Sequence, residues 1–230
     1  MSKRRVSNLL ALAVLACLVE KPMHPYEIST TLRTRGKENS IKLNYGSLYS
    51  VVDALAKRGL IEAQQTVRDG RRPERTVYAI TPDGRAEFED WLAELVSTPV
   101  REYTSLEAGL SLLAGLSPDE SARLLTERAG RLRIELGAID SVLAVTSEQG
   151  LPELFVIEEH YRRARLVAEI AFVVELADRI RTEKLPGVQW WRRISELREQ
   201  GVTVQEIYAD PLRHLGEEGA AMLAQLDQTN

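Results

Sequence analysis

A mainly α-helical chain with one small β-hairpin near its N-terminal third is the fold class this sequence predicts, on three observations. Apolar residues recur at helical spacing in several segments, beginning at Leu9. One pair of short strand-like runs, Glu62 to Val67 and Arg75 to Ile80, flanks the turn residues Asp69-Gly70. Helix starts built on proline, at Pro25, Pro82 and Pro118, then punctuate the chain.

The first helix is expected from about Ser7 to Glu20, with Leu9, Leu10, Ala13, Val14 and Cys17 on its inner side. His24-Pro25 opens a second helix that turns Tyr26, Ile28 and Leu32 inward and ends near Gly36; His24 is read as its cap. A polar connection from Lys37 to Lys42 leads to Asn44, the expected N-cap of a third helix that Gly59 ends. At 100° per residue, Leu48, Val51, Val52 and Leu55 fall in one core-facing stripe. Ser47, Ser50 and Lys57 then point away from that stripe, with Tyr49 and Asp53 on its flank.

The hairpin that follows carries Arg68, Arg71, Arg72 and Arg75 around its tip. Guanidinium groups present a planar fork of donors that matches phosphate oxygens. Three helices followed by a basic hairpin form the layout of a winged helix-turn-helix, in which a helix enters a DNA groove beside a gripping wing. An ordinary solvated helix face and a merely solvated tip are the plain alternatives, and the order of the elements weighs against them. The expected DNA-side residues are Lys42, Asn44, Tyr45, Ser47, Tyr49, Ser50, Lys57, Arg68, Arg71, Arg72 and Arg75.

Charge supports the same division. The chain of 230 residues has a formal net charge of −4. Residues 1 to 85 hold 15 Lys/Arg against 8 Asp/Glu, a net of +7, and residues 86 to 230 hold 15 against 26, a net of −11. A basic half suits a nucleic-acid surface, and an acidic half suits another task.

Within the first 95 residues the motifs resemble the PadR family of transcriptional regulators. The resemblance rests on Met23-His24-Pro25-Tyr26-Glu27-Ile28, Gly46-Ser47-Leu48-Tyr49, Gly59-Leu60-Ile61 and Tyr78-Ala79-Ile80-Thr81-Pro82-Asp83-Gly84-Arg85, in the family's order. Family members commonly carry proline where this chain has Tyr45. The resemblance implies a homodimeric regulator, more often a repressor than an activator, whose helical C-terminal domain dimerises. It places the DNA contacts at the start of the third helix and on the wing arginines.

Thr81-Pro82-Asp83 opens a fourth helix expected to reach about Val96, and Ser97-Thr98-Pro99 interrupts it. The expected domains are therefore 1–97, the winged helix-turn-helix, and 98–230, an α-helical dimerisation and regulatory domain. Ser117-Pro118-Asp119-Glu120 reads as a capping box with proline at the first helical position. Beyond it Leu125, Ala129, Leu132, Leu136, Ile139 and Leu143 recur at steps of four and three, the seam of helices packed lengthwise. After Gly150-Leu151-Pro152 a second long helix is expected to about Glu183, with Ile157, Tyr161, Ala164, Ala168 and Ala171 on one side and Val167, Ile170, Val174 and Ala177 on another.

Two apolar sides call for two partners, one within the chain and one in a second subunit, with cover by helices four and five or the tail of the same chain as the plain alternative. The expected dimerisation residues are Leu125, Leu132, Leu136, Ile157, Tyr161, Val167, Ile170 and Val174. After Pro186-Gly187 the sequence predicts only a short helix near Ser195 to Glu199. Trp91, Trp190 and Trp191 are candidates to line a pocket for a small-molecule effector, with plain packing as the alternative.

Other classes find little support. His24, His160 and His214 lie far apart, without a Cys or His at metal-ligand spacing, and Glu158-Glu159 beside His160 reads as a solvated face. No phosphate-binding loop, dinucleotide fingerprint or nucleophile elbow is present, so neither catalysis nor a cofactor or metal is expected. No apolar run approaches the ~20 residues that span a bilayer. Leu9 to Val19 follows Lys3, Arg4 and Arg5, yet no small-residue cleavage site follows it. The single cysteine, Cys17, fits a reducing cytoplasm.

The expected partners are thus operator DNA and a second copy of the chain, with a small-molecule effector and no membrane. Two rival readings are a protein-interaction adaptor and a ligand-binding protein, each using the winged helix as scaffold without reading DNA.

Overall fold

The structure, a computed structural model, describes residues 8–41, 45–67 and 75–229. It is mainly helical with one two-stranded antiparallel sheet. Met1–Glu102 and Tyr103–Asn230 form two compact units.

The first unit is built on α1 (Leu9–Glu20), whose Asn8 side chain caps it by accepting from the Leu10 N–H at 2.9 Å. Leu10 to Leu15, Cys17 and Leu18 are all buried, so this helix is surrounded by the rest of the unit. α2 (Pro25–Thr34) starts as its proline suggests, and His24 Nδ1 accepts from the Glu27 N–H at 3.0 Å, a cap made by an imidazole. Arg35, just past α2, binds both carboxylate oxygens of Glu20 and ties the ends of the first two helices together. That pairing, chiefly its hydrogen bond, holds the Glu20 carboxyl below its ordinary range and pushes the Arg35 guanidinium up.

α3 (Leu48–Lys57) begins after a 3₁₀ turn at Tyr45–Ser47. Ser47 therefore occupies the N-cap, without a side-chain cap bond, and Asn44, the cap expected from sequence, lies outside the described residues. Gly59 closes the helix at φ +72°, a left-handed conformation that costs a side chain strain. β1 (Ile61–Val67) and β2 (Arg75–Ile80) then pair antiparallel, from Ile61 opposite Ile80 to Val67 opposite Arg75, with a bulge between Ala63 and Gln65.

Met23 and Tyr78 exchange backbone hydrogen bonds of 3.0 Å in both directions, which docks the hairpin against the start of α2. Thr81 caps α4 (Pro82–Ser97) by accepting from the Gly84 N–H at 3.0 Å, while its own hydroxyl donates to the Gly59 carbonyl at 2.7 Å. Gly84 has no substitute here, because an added Cβ would sit 1.9 Å from the Leu60 carbonyl oxygen. Trp91 closes the core with Leu15, Leu18, Ile28, Leu48, Val52 and Leu55.

In the second unit, α5 (Ser105–Ser111) precedes a 3₁₀ turn at Leu113–Gly115 and the long α6 (Pro118–Glu148). Ser117 caps α6 through the Glu120 N–H at 3.3 Å. Glu120 does not return the bond that a capping box requires, since its carboxylate is held by Arg123 at 2.6 and 2.7 Å. α7 (Ile157–Arg181) runs antiparallel to α6, as Arg128–Glu169, Arg162–Glu135 and Arg163–Asp140 show.

The intrachain core of this pair is Ala122, Leu125 and Ala129 against Val173, Ala177 and Ile180. On α7 the covered stripe is thus Leu166, Ile170, Val173, Ala177 and Ile180; it shares Ile170 and Ala177 with the second side expected from sequence, whose Val167 and Val174 are exposed. The tail is longer in structure than the single short helix expected: it forms α8 (Val188–Glu199), α9 (Val204–Ala209) and α10 (Pro211–Thr229), which bends at Gly216. α8 is fastened to the start of α6 by a bidentate Arg192–Asp119 pair at 2.7 and 3.0 Å.

Candidate nucleic-acid interface

The interface begins with α3, whose inner stripe decides which residues face outward. Leu48, Val52 and Leu55 are buried and Val51 is half-buried against the same core. The opposite arc carries Tyr49, Ser50, Asp53, Ala54 and Lys57, all exposed. Tyr49 is 61% exposed and so offers its ring and hydroxyl to solvent. Ser47, at the helix start, is half-buried.

Small hydroxyls, one phenol and one ammonium on a convex helix face can approach base edges and phosphates without steric obstruction. The structure therefore brings Tyr49, Ser50 and Lys57 to one side. Tyr45 opens the 3₁₀ turn before α3, and Arg75 opens β2. Lys42, Asn44, Arg68, Arg71 and Arg72 lie outside the described residues.

One residue was misplaced by its sequence pattern. Tyr26 does not turn inward with Ile28 and Leu32; it is 63% exposed at the start of α2, its ring 6.1 Å from that of His24. Position N2 of a helix explains this, because only Pro25 and Ile28 on that turn reach the core. The signal was available: with Ile28 and Leu32 fixing the inner stripe at spacing four, Tyr26 falls outside it.

The residues expected at a subunit interface divide. Leu125 is buried in the α6–α7 core of its own chain, and Leu132, Leu136 and Ile170 are half-buried. Ile157, Tyr161, Val167 and Val174 are exposed, at 58, 65, 42 and 39%. Of the tryptophans, Trp91 is core of the first unit. Trp191 packs against the α6–α7 core and its Nε1 donates to the Leu116 carbonyl at 2.7 Å, which makes it a structural clasp for α8. Trp190 lies against Gly219 of α10.

Among the described residues no three His, Cys, Asp or Glu side chains converge as a metal site would require. No described helix is long and apolar enough to cross a membrane. Cys17 is buried, and burial pushes its thiol up to about 11.

The model of the PadR-like transcriptional regulator family matches residues 14–90, which run from within α1 through the hairpin into α4. This part of the chain is a PadR-like domain. Solved structures agree over a longer span. The Bacillus subtilis PadR structure in complex with operator DNA superposes with a TM-score of 0.63 at 17% identity, covering 75% of this chain and 99% of that one. The same protein in complex with p-coumaric acid gives 0.61 at 15% identity over 75% and 99%. The PadR-like regulator BC1756 from Bacillus cereus gives 0.50 at 16% over 78% and 99%. At these identities the likeness is one of fold: a PadR winged helix with C-terminal helices. No curated protein matches the chain.

Proposed function

We propose that this PadR-like protein is a homodimeric, sequence-specific transcriptional repressor of the cytoplasm that acts by binding DNA and not by catalysis. The observation that carries this reading is the outward face of α3, with Tyr49, Ser50 and Lys57 exposed, inside the segment that matches the family model. Each subunit lays α3 in a major groove, with Ser47, Tyr49 and Ser50 near base edges. Lys42, Asn44, Tyr45, Lys57 and the wing residues Arg68, Arg71, Arg72 and Arg75 fix the register on phosphates. Tyr26, exposed at the start of α2, joins them as a backbone contact.

Residues 1–97 carry this task, and residues 98–230 carry dimerisation and its control by a small molecule. Two facts support a second subunit: Ile157 and Tyr161 of α7 are left in solvent, and the fold is shared with a regulator solved on operator DNA. The operator is then an imperfect palindrome with half-sites ~10 base pairs apart.

Fluorescence anisotropy of a labelled operator against salt tests this. If each subunit neutralises three to four phosphates, the logarithmic slope is roughly −5 to −7. Replacing Arg71 and Arg72 with alanine makes it shallower by about 3 to 4 without changing sequence preference, and Tyr49→Ala or Ser50→Ala relaxes preference instead. A slope near zero, or equal affinity for scrambled duplex, contradicts the reading.

A further inference from the structure

His24 has two ring nitrogens, and its capping bond uses one of them. Nδ1 accepts from the Glu27 N–H at 3.0 Å. A ring nitrogen that accepts carries no proton, so the neutral imidazole holds its hydrogen on Nε2, at the other edge of the ring. That second nitrogen has no hydrogen-bond partner among the described residues and is not sealed from water. His24 therefore offers one N–H donor, of fixed tautomer, to something outside its own chain.

The residues on either side hold this donor in place. Met23 is 1% exposed and exchanges two backbone hydrogen bonds of 3.0 Å with Tyr78 of β2, while Pro25 is buried and its ring fixes the backbone that opens α2. Tyr26 stacks beside the imidazole, ring centroids 6.1 Å apart, and is 63% exposed, so its phenol belongs to the same stretch of surface. The acidic residue of this first turn, Glu27, is taken by Lys21 at 2.7 Å. An anion that approaches His24 and Tyr26 thus meets donors, and the carboxylate of that turn is already neutralised.

Uncharged side-chain donors of this kind suit the phosphate oxygens of a nucleic-acid backbone. In a helix-turn-helix the helix ahead of the recognition helix crosses that backbone, and α2 holds this place before α3. We propose that His24 is a DNA contact as well as a cap, its Nε2–H donating to a phosphate oxygen of the duplex beside Tyr26. The contact rests on the DNA-binding reading above and adds to it a residue that sequence assigned to capping alone. It differs in kind from the wing arginines. A neutral donor displaces no counterion, so it adds affinity without steepening the salt dependence.

Two substitutions separate the two tasks of the ring. His24→Asn keeps an acceptor near the place of Nδ1, and asparagine is a favoured cap, but it puts nothing at the place of Nε2. His24→Gln does the reverse, with an amide N–H near Nε2 and a poorer cap. The full chain is titrated at pH 8 against a labelled operator recovered by selection and a labelled duplex of mixed sequence, with thermal melting alongside. His24→Asn is expected to melt like the wild type and to bind both duplexes roughly three- to tenfold more weakly. Its logarithmic salt slope is expected to match that of the wild type. His24→Gln is expected to melt earlier and to lose less affinity than His24→Asn. Wild-type affinity in His24→Asn, a loss confined to the operator, a shallower slope, or a greater loss in His24→Gln overturns the contact and leaves His24 a cap. A wild type that binds neither duplex overturns the DNA reading itself, and the contact with it.

Discussion

α2 and α3 of the first unit and the α6–α7 pair of the second differ in the side chains they leave in water. In the first, α1 is buried nearly end to end, and the exposed aromatic residues of α2 and α3 are Tyr26 and Tyr49, each with a polar hydroxyl at its tip. In the second, Ile134 of α6 is 78% exposed and Ile157 of α7 58%, aliphatic side chains with nothing polar to offer. Buried residues of α6 gather toward its first half, those of α7 toward its last, so the far end of this antiparallel pair holds apolar surface without a core. Tyrosine suits a wet, charged partner, and isoleucine suits a dry one. The difference fits the proposed division of labour, with the α3 face offered to DNA and the far end of the α6–α7 pair offered to a second copy of the chain.

The largest effect that would sharpen this contrast is in the first core. Trp91→Ala removes a large side chain that is 4% exposed and is expected to cost about 3–5 kcal/mol in urea unfolding, with loss of DNA binding. A cost below 1 kcal/mol would mean that Trp91 is not core. Next comes Ile157→Asp. As a solvated residue of a monomer it should shift stability by no more than about 0.5 kcal/mol. At a subunit interface the same change should weaken self-association by about 30-fold or more, read by sedimentation equilibrium; unchanged association would place the dimer contact elsewhere.

A smaller effect belongs to the tail. Arg192 hydrogen-bonds Asp119 and holds its carboxyl below the ordinary range. Stabilisation from this pair is present above the unfolded-state value near pH 4 and is lost as pH falls through the lowered one. Asp119 is largely exposed, so the contribution should stay below about 1 kcal/mol. Comparing urea midpoints of Asp119→Asn and wild type at pH 7 and pH 3 checks it: the gap between them should close in acid, and a gap that widens would reverse the sign. The smallest effect is a lack of reaction. Cys17, buried and with its thiol pushed up to about 11, should resist a disulfide reagent at pH 8 until the protein is unfolded; rapid labelling of the native protein would show that α1 opens locally.

Much of the first unit was legible because local signals and tertiary needs coincide there. Pro25, Thr81-Pro82 and the apolar stripe of α3 each specify a start or a face by residue type, and the hairpin is marked by its strand-like runs. The second unit was less legible. Leu125 and its seam were readable from steps of four and three, but α7 is apolar or small on more than one side, so spacing could not choose the stripe that its own chain covers. α5 and α9 are short, and their signals are single caps: Thr104 accepts from the Glu107 N–H, and Thr203 with Glu206 forms a full capping box. The S/T-x-x-E pattern was visible at both places. The same pattern at Ser117 overstated its case, since Glu120 turned to Arg123. The wing arginines were picked out by composition and turn chemistry alone.

The central claim is that two copies of the α3 face read one duplex together, and selection of binding sites from random DNA by the purified full-length protein tests it most directly. The account predicts enrichment of an imperfect palindrome with half-sites ~10 base pairs apart, lost when Tyr49 and Ser50 are both replaced by alanine. Recovery of an unstructured pool, or of a single asymmetric half-site that the double variant still selects, would contradict it.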